Sequence, residues 1–202
     1  MADSMRRPFL SLLGGFDCAN LAPGSPAATR KARAMVAYLA LQTGHSQSRE
    51  KLAALLWGGV AEEQARANLR QTLSALRRAL QTTGRECFRI EGDRITLNID
   101  DADLDVRRFE ALAASFSTEE LEQAIALYPG ELLEGFSLAE EPFEDWLRIE
   151  RERLRTVAIS ALEKLIARHI AGNKPGACIP AATRLLGLEP LREDVHRTLM
   201  RA

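Results

Sequence analysis

Between Glu62 and Gln81 the apolar residues Ala65, Leu69, Leu73, Leu76 and Leu80 recur at spacings of four, four, three and four, a repeat that gathers on one face only in a helix. Glu62 and Glu63 open the segment, as the positive end of a helix dipole favours, and no acid follows them before Gln81. At 100° per residue, Gln64, Ala67, Gln71, Ser74 and Arg78 project opposite the apolar stripe, flanked by Asn68 and Arg70. A solvated face ordinarily mixes both signs of charge. An Arg/Gln/Asn/Ser face without carboxylates favours a polyanion.

The neighbouring segments give this helix a setting. Cys87 to Glu91 and Arg94 to Ile99 alternate in polarity about Gly92-Asp93, which predicts a hairpin with a two-residue turn and places Arg89 and Arg94 on or beside its tip. Upstream, Met35, Val36, Leu39 and Ala40 predict a first helix from Arg30, stopped by Gly44. Ser46-Gln47-Ser48 offers N-caps to a short second helix with Leu52, Leu55 and Leu56 on one face, ended by Gly58-Gly59. One or two strands are expected across Phe9 to Leu13 and Phe16 to Cys18 about Gly14-Gly15, with a turn at Ala22 to Pro26. Three helices, the third polar outward, then a basic hairpin outline a winged helix-turn-helix.

Beyond Asp100 helices predominate. Asp103 or Asp105 begins a short helix through Phe109 and Leu112, and Ser117 begins another that runs to about Tyr128 before Pro129-Gly130. Pro142 suits the first turn of a long helix that carries Phe143, Trp146, Leu147, Leu154, Val157, Ala158, Ala161, Leu162, Leu165 and Ile166 on to Gly172. Ala181 to Leu186 and Leu191 to Met200 predict two more, parted by Pro190, so the pairs read as tetratricopeptide-like packing. Pro180 calls for a kink or a helix start nearby.

The formal charge of −1 conceals an asymmetry: residues 1–99 hold 14 Lys+Arg against 8 Asp+Glu, and residues 100–202 hold 13 against 20, giving +6 and −7. A half that meets a polyanion, joined to one that does not, fits this division. Of the 27 basic residues 23 are Arg, which suits forked phosphate and guanine contacts, although genome composition yields the same bias. Cys18, Cys87 and Cys178 are scattered and odd in number, as expected of reduced thiols in a cytoplasm. The N-terminal stretch Pro8 to Leu13 is too short for a signal h-region and no apolar run approaches 18 residues, so no membrane partner is expected.

No catalytic arrangement emerges. His45, His169 and His196 lie in no helical metal-site spacing, the phosphate-loop and dinucleotide glycine patterns are absent, and the acids from Glu140 to Asp145 are explained by a helix start. No metal or cofactor is expected. The chain is 5% aromatic and the third helix has no aromatic residue, which favours duplex over single-stranded nucleic acid. The candidate DNA-binding residues are Arg66, Asn68, Arg70, Gln71, Ser74, Arg77 and Arg78 on the helix and Arg89 and Arg94 on the hairpin. Asn68 and Gln71 carry amides suited to adenine, and Arg70 suits guanine or phosphate. A solvated helix with adventitious charge is the alternative on periodicity alone.

Leu12-Leu13-Gly14-Gly15-Phe16, the run from Arg30 to Leu41, Leu55-Leu56-Trp57, Ala65 to Arg70 and Leu73 to Arg78 resemble the SARP-type transcriptional activators, whose first domain is similar to OmpR-type winged helices. Asp105-Val106 to Phe109, Leu127 to Leu133, Trp146-Leu147 with Arg151 and Leu154, and Glu189 to Glu193 with His196 to Met200 resemble their bacterial transcriptional activator domain. The resemblance implies a mainly α protein: a winged helix-turn-helix with small β elements over residues 1–100, then a tetratricopeptide-like all-α domain over 101–202. It implies that Glu62 to Gln81 is the recognition helix and Gly92-Asp93 the wing tip. It further implies a helical module that arranges homodimers on DNA or contacts RNA polymerase. Such proteins continue past the position of Ala202 with another helix, so a C-terminal truncation is expected. The competing function is a protein–protein adapter with a structural winged helix, which would need no carboxylate-free basic face.

Overall fold

The computed structural model of the chain describes residues 8–19, 25, 28–42, 44–81 and 87–201. The turn expected over residues 22–26 therefore lies, apart from Ser25, outside the described residues. Strands β1 (Leu10–Ser11) and β2 (Asp17–Cys18) pair antiparallel about Gly14-Gly15. Gly14 has φ +74, and a Cβ there would meet Pro129 Cγ at 2.8 Å, so both backbone conformation and space demand glycine.

Helix α1 (Arg30–Leu41) is capped by Thr29, whose hydroxyl accepts from the Ala32 amide at 3.2 Å. Helices α2 (Arg49–Trp57) and α3 (Glu62–Gln81) follow, with Ser48 capping α2 through the Lys51 amide. The hairpin of β4 (Phe88–Glu91) and β5 (Arg94–Leu97) turns at Gly92, φ +58, as its two-residue spacing predicts. A strand absent from the sequence reading, β3 (Gln47–Ser48), adds to β5 and makes a three-stranded sheet in the order β3-β5-β4. Two residues are too few to show alternation, and Ser48 also caps α2. The Arg49 amide extends the attachment by donating to Asp93 O at 3.0 Å. Met35, Leu39, Leu52, Leu56, Leu69, Leu76, Leu80 and Ile95 are fully buried among these elements. Together they form a winged helix.

After a single 3-10 turn at residues 101–103 come α4 (Asp105–Ala113), α5 (Thr118–Leu127), α6 (Glu141–Ala171), α7 (Cys178–Leu188) and α8 (Glu193–Arg201). Each packs on the next in chain order, the tetratricopeptide-like arrangement. Pro180 causes no kink because it is the third residue of α7, where an amide has no intrahelical acceptor to lose. Arg151 of α6 gathers the long α5–α6 connection, donating to the carbonyls of Leu132 at 2.8 Å, Leu133 at 2.7 Å and Phe136 at 3.3 Å.

The two halves are joined by more than the chain. Leu10 bridges to Leu104 and Leu13 to Leu132, while the Leu133 amide donates to Leu12 O at 2.7 Å. Trp146, half-buried, stands at this junction, edge-on to Tyr38 of α1 with ring centroids 5.0 Å apart. Cys18, Cys87 and Cys178 are buried free thiols.

Candidate nucleic-acid interface

The apolar stripe of α3 is buried along its whole length, which fixes the rotation of the helix and turns the opposite side outward. Arg66, Arg70, Gln71, Ser74, Arg77 and Arg78 are exposed and Asn68 is half-buried. Gln64 donates its amide to Asn68 Oδ1 at 2.9 Å. Arg66 pairs with Glu62 one turn back. Arg78 makes a long contact from Nε to Ser74 O, 3.4 Å. Arg70 and Arg77 have neither ion pair nor hydrogen bond to any described residue, so their charges are available to a ligand.

The wing differs from its appearance in sequence. Arg89 is paired with Glu91, Nε to Oε1 at 2.8 Å, and Arg94 reaches back to Ser46, donating from Nη1 to Oγ at 3.1 Å. Both arginines are exposed, yet each is engaged within the protein. Beside α3 and the wing, Arg49 has no side-chain ion pair or hydrogen bond to any described residue, and the sequence reading did not single it out. Arg49 opens α2 and lies between α3 and the wing. It borders a cleft of about 420 Å³ together with Arg70, Ser74, Arg77, Arg78 and Ile90, and a second with Arg66, Arg70 and Asp93. Its neighbours in the cleft lie more than twenty positions along the chain, so no local pattern marks it.

On its other flank α3 borders a larger cleft, of about 740 Å³, with Asn68, Gln71, Thr72, Ala75 and Arg78 along one side. Thr29, Arg30, Lys31 and the segment from Ser137 to Glu140 line the other. Arg78 borders clefts on both flanks and marks the ridge between them.

The arrangement offers donors and charge. No group of three His, Cys, Asp or Glu among the described residues is placed to hold a metal ion. His169 is buried 3.7 Å from Glu122, and His196 meets Pro190 O at 3.0 Å. No helix among the described residues is long and apolar enough to cross a membrane.

Residues 104–202 match the protein family described as bacterial transcriptional activator domain. A structure of Mycobacterium tuberculosis EmbR, in complex with a low affinity phosphopeptide, is similar with a TM-score of 0.77 at 22% identity. The match covers 96% of this chain and 54% of that one, so the chain spans about half the length of that protein's structure. At such identity the likeness is one of fold. No curated protein matches the chain.

Proposed function

We infer that this chain, whose residues 104–202 match the bacterial transcriptional activator domain, is a SARP-type transcriptional activator and acts by binding a specific sequence of double-stranded DNA through α3. The observation that carries the reading is the pair Arg70 and Arg77. Both are exposed and without partners among the described residues, on a face that has no carboxylate after Glu63. A helix about 10–12 Å across fits a major groove about 12 Å wide, and Gln71 and Asn68 then reach base edges while the arginines meet guanine or phosphate. Arg49 on one flank of α3, with the wing beyond it, grips backbone and sets register without reading sequence. A protein–protein adapter needs no carboxylate-free basic face.

The second half is the module that arranges two copies on DNA or meets RNA polymerase. The protein works in the bacterial cytoplasm without catalysis, metal or cofactor. The deciding experiment is selection of duplexes from a random library by the whole chain, followed by titration of the selected site and a scrambled one at several salt concentrations. Enrichment of one motif is expected, with log affinity falling against log salt by about 0.9 for each phosphate engaged. Salt-independent binding, or selection without enrichment, would refute the reading.

A further inference from the structure

A helix lying in the major groove has a phosphate strand on each side. One flank of α3 is supplied by Arg49, Arg70 and Arg77. The opposite flank faces the cleft of about 740 Å³, whose far wall combines the start of α1 with the segment from Ser137 to Glu140, which belongs to the connection between α5 and α6 in the second half.

That wall is unusual for its surroundings. The second half carries 13 basic against 20 acidic residues and as a whole should repel DNA. Yet Ser137 and Ala139 are exposed, small and uncharged, and Leu138 is buried, its amide donating to Glu144. The one carboxylate in the wall, Glu140, is covered to 11% side-chain exposure and held by Lys31, Nζ to Oε1 at 2.6 Å. Glu141, exposed, is next in the chain but does not line the cleft. From the first half the wall receives Arg30, exposed and without an ion pair or hydrogen bond to any described residue, on a helix with no acid in its first turn. Neutralised acid, small side chains and one free guanidinium leave a surface that a phosphate strand can approach.

We propose that this wall is the second phosphate seat of the DNA interface, formed jointly by Arg30 and the Ser137–Ala139 segment, so that the activator half itself borders the duplex. The Lys31–Glu140 ion pair both ties the halves together here and removes the charge that would keep DNA away. The inference rests on α3 being the duplex-reading element.

Charge exchange at an exposed position tests it without disturbing the core. Whole-chain variants Ala139→Lys, Ala139→Glu and Arg30→Ala are titrated with the selected site and with scrambled duplex at several salt concentrations, beside Arg77→Ala as reference. Ala139→Lys should tighten binding several-fold and Ala139→Glu weaken it similarly, on both duplexes alike. Arg30→Ala should lower the salt slope by about one while leaving base preference unchanged. If Arg77→Ala weakens binding but both Ala139 exchanges are silent, the activator half does not border DNA and the inference is overturned, with the proposed function intact. An effect at Ala139 with none at Arg30 removes the guanidinium from the seat and equally overturns the joint wall. If the unaltered chain shows no salt-dependent binding, the proposed function itself fails.

Discussion

The carboxylate of Asp105 stands 2.8 Å from the amide of Leu12, a residue 93 positions earlier in the chain. The same carboxylate accepts from the Leu13 amide at 2.9 Å and the Val106 amide at 2.8 Å. One side chain at the start of α4 thereby satisfies buried backbone donors just after β1.

Loss of that acceptor should destabilise the entire chain. Asp105→Ala leaves the buried amides of Leu12 and Leu13 unpaired, at about 1–3 kcal/mol each. Asp105→Asn, which keeps one acceptor oxygen, should lose less than Asp105→Ala. Chemical denaturation of both variants followed by far-UV circular dichroism measures the difference, and equal losses would show that the second oxygen bears the bonding alone.

The same residue predicts a pH dependence. Burial raises the Asp105 pKa to about 6, outweighing its three amide bonds and the nearby Arg108 charge. The folded chain then holds this proton more tightly than the unfolded chain. Its stabilising contribution is complete below about pH 4 and is lost as the pH rises to 6. The stability difference between the unaltered chain and Asp105→Asn should accordingly shrink between pH 4 and 6 and level off above. A difference that grows over this interval means that the amide bonds dominate burial.

Trp146 should report on the joining of the halves. Its ring is edge-on to Tyr38 and 5.2 Å from Phe143, and its indole nitrogen is buried without an acceptor among the described residues. Trp146→Ala should cost about 3 kcal/mol, the low end for a large aromatic because the ring is half-buried. Trp146→Phe, which drops the unpaired donor while keeping a ring, should cost under about 1 kcal/mol. Urea unfolding of both variants supplies the comparison.

Base reading and backbone grip should separate by mutation. Gln71→Ala should alter which bases are preferred, losing about 1–3 kcal/mol on the selected site and little on random duplex. Arg94→Ala should weaken all duplexes alike, through the loss of its charge and of its hold on Ser46. Competition against a panel of single-base site variants distinguishes them. A changed profile for Arg94→Ala and an unchanged one for Gln71→Ala would move recognition from α3 to the wing.

Neutralising the carboxylate that engages the wing should do the opposite of removing an arginine. Glu91→Gln releases Arg89 from its ion pair, so binding to any duplex should tighten and the salt slope steepen by about one. An unchanged slope would place Arg89 away from phosphate.

The elements that sequence alone determined are those whose signal is local. The stripe from Ala65 to Leu80 repeats over several turns of α3, Gly92-Asp93 admits a two-residue turn, and Gly172 closes a helix whose apolar positions repeat from Phe143 onward. Helical period, capping and turn chemistry act between residues a few positions apart, and they can be read before anything is folded. The family resemblance is legible for a similar reason, since its short motifs lie in order along the chain. Only the tertiary structure decided which charges are free. Arg89 and Arg94 look equivalent to Arg70 and Arg77 in sequence, yet the first two are engaged by Glu91 and Ser46 and the second two have no partner among the described residues. Strand β3 likewise exists because β5, almost fifty residues later, supplies its partner. Asp105 meets Leu12, Trp146 meets Tyr38 and Lys31 meets Glu140 by packing of the halves, and pairings over such separations leave no periodicity behind. A side chain's partner is chosen by proximity in space, which depends on how all the elements close on one core and which no local pattern encodes.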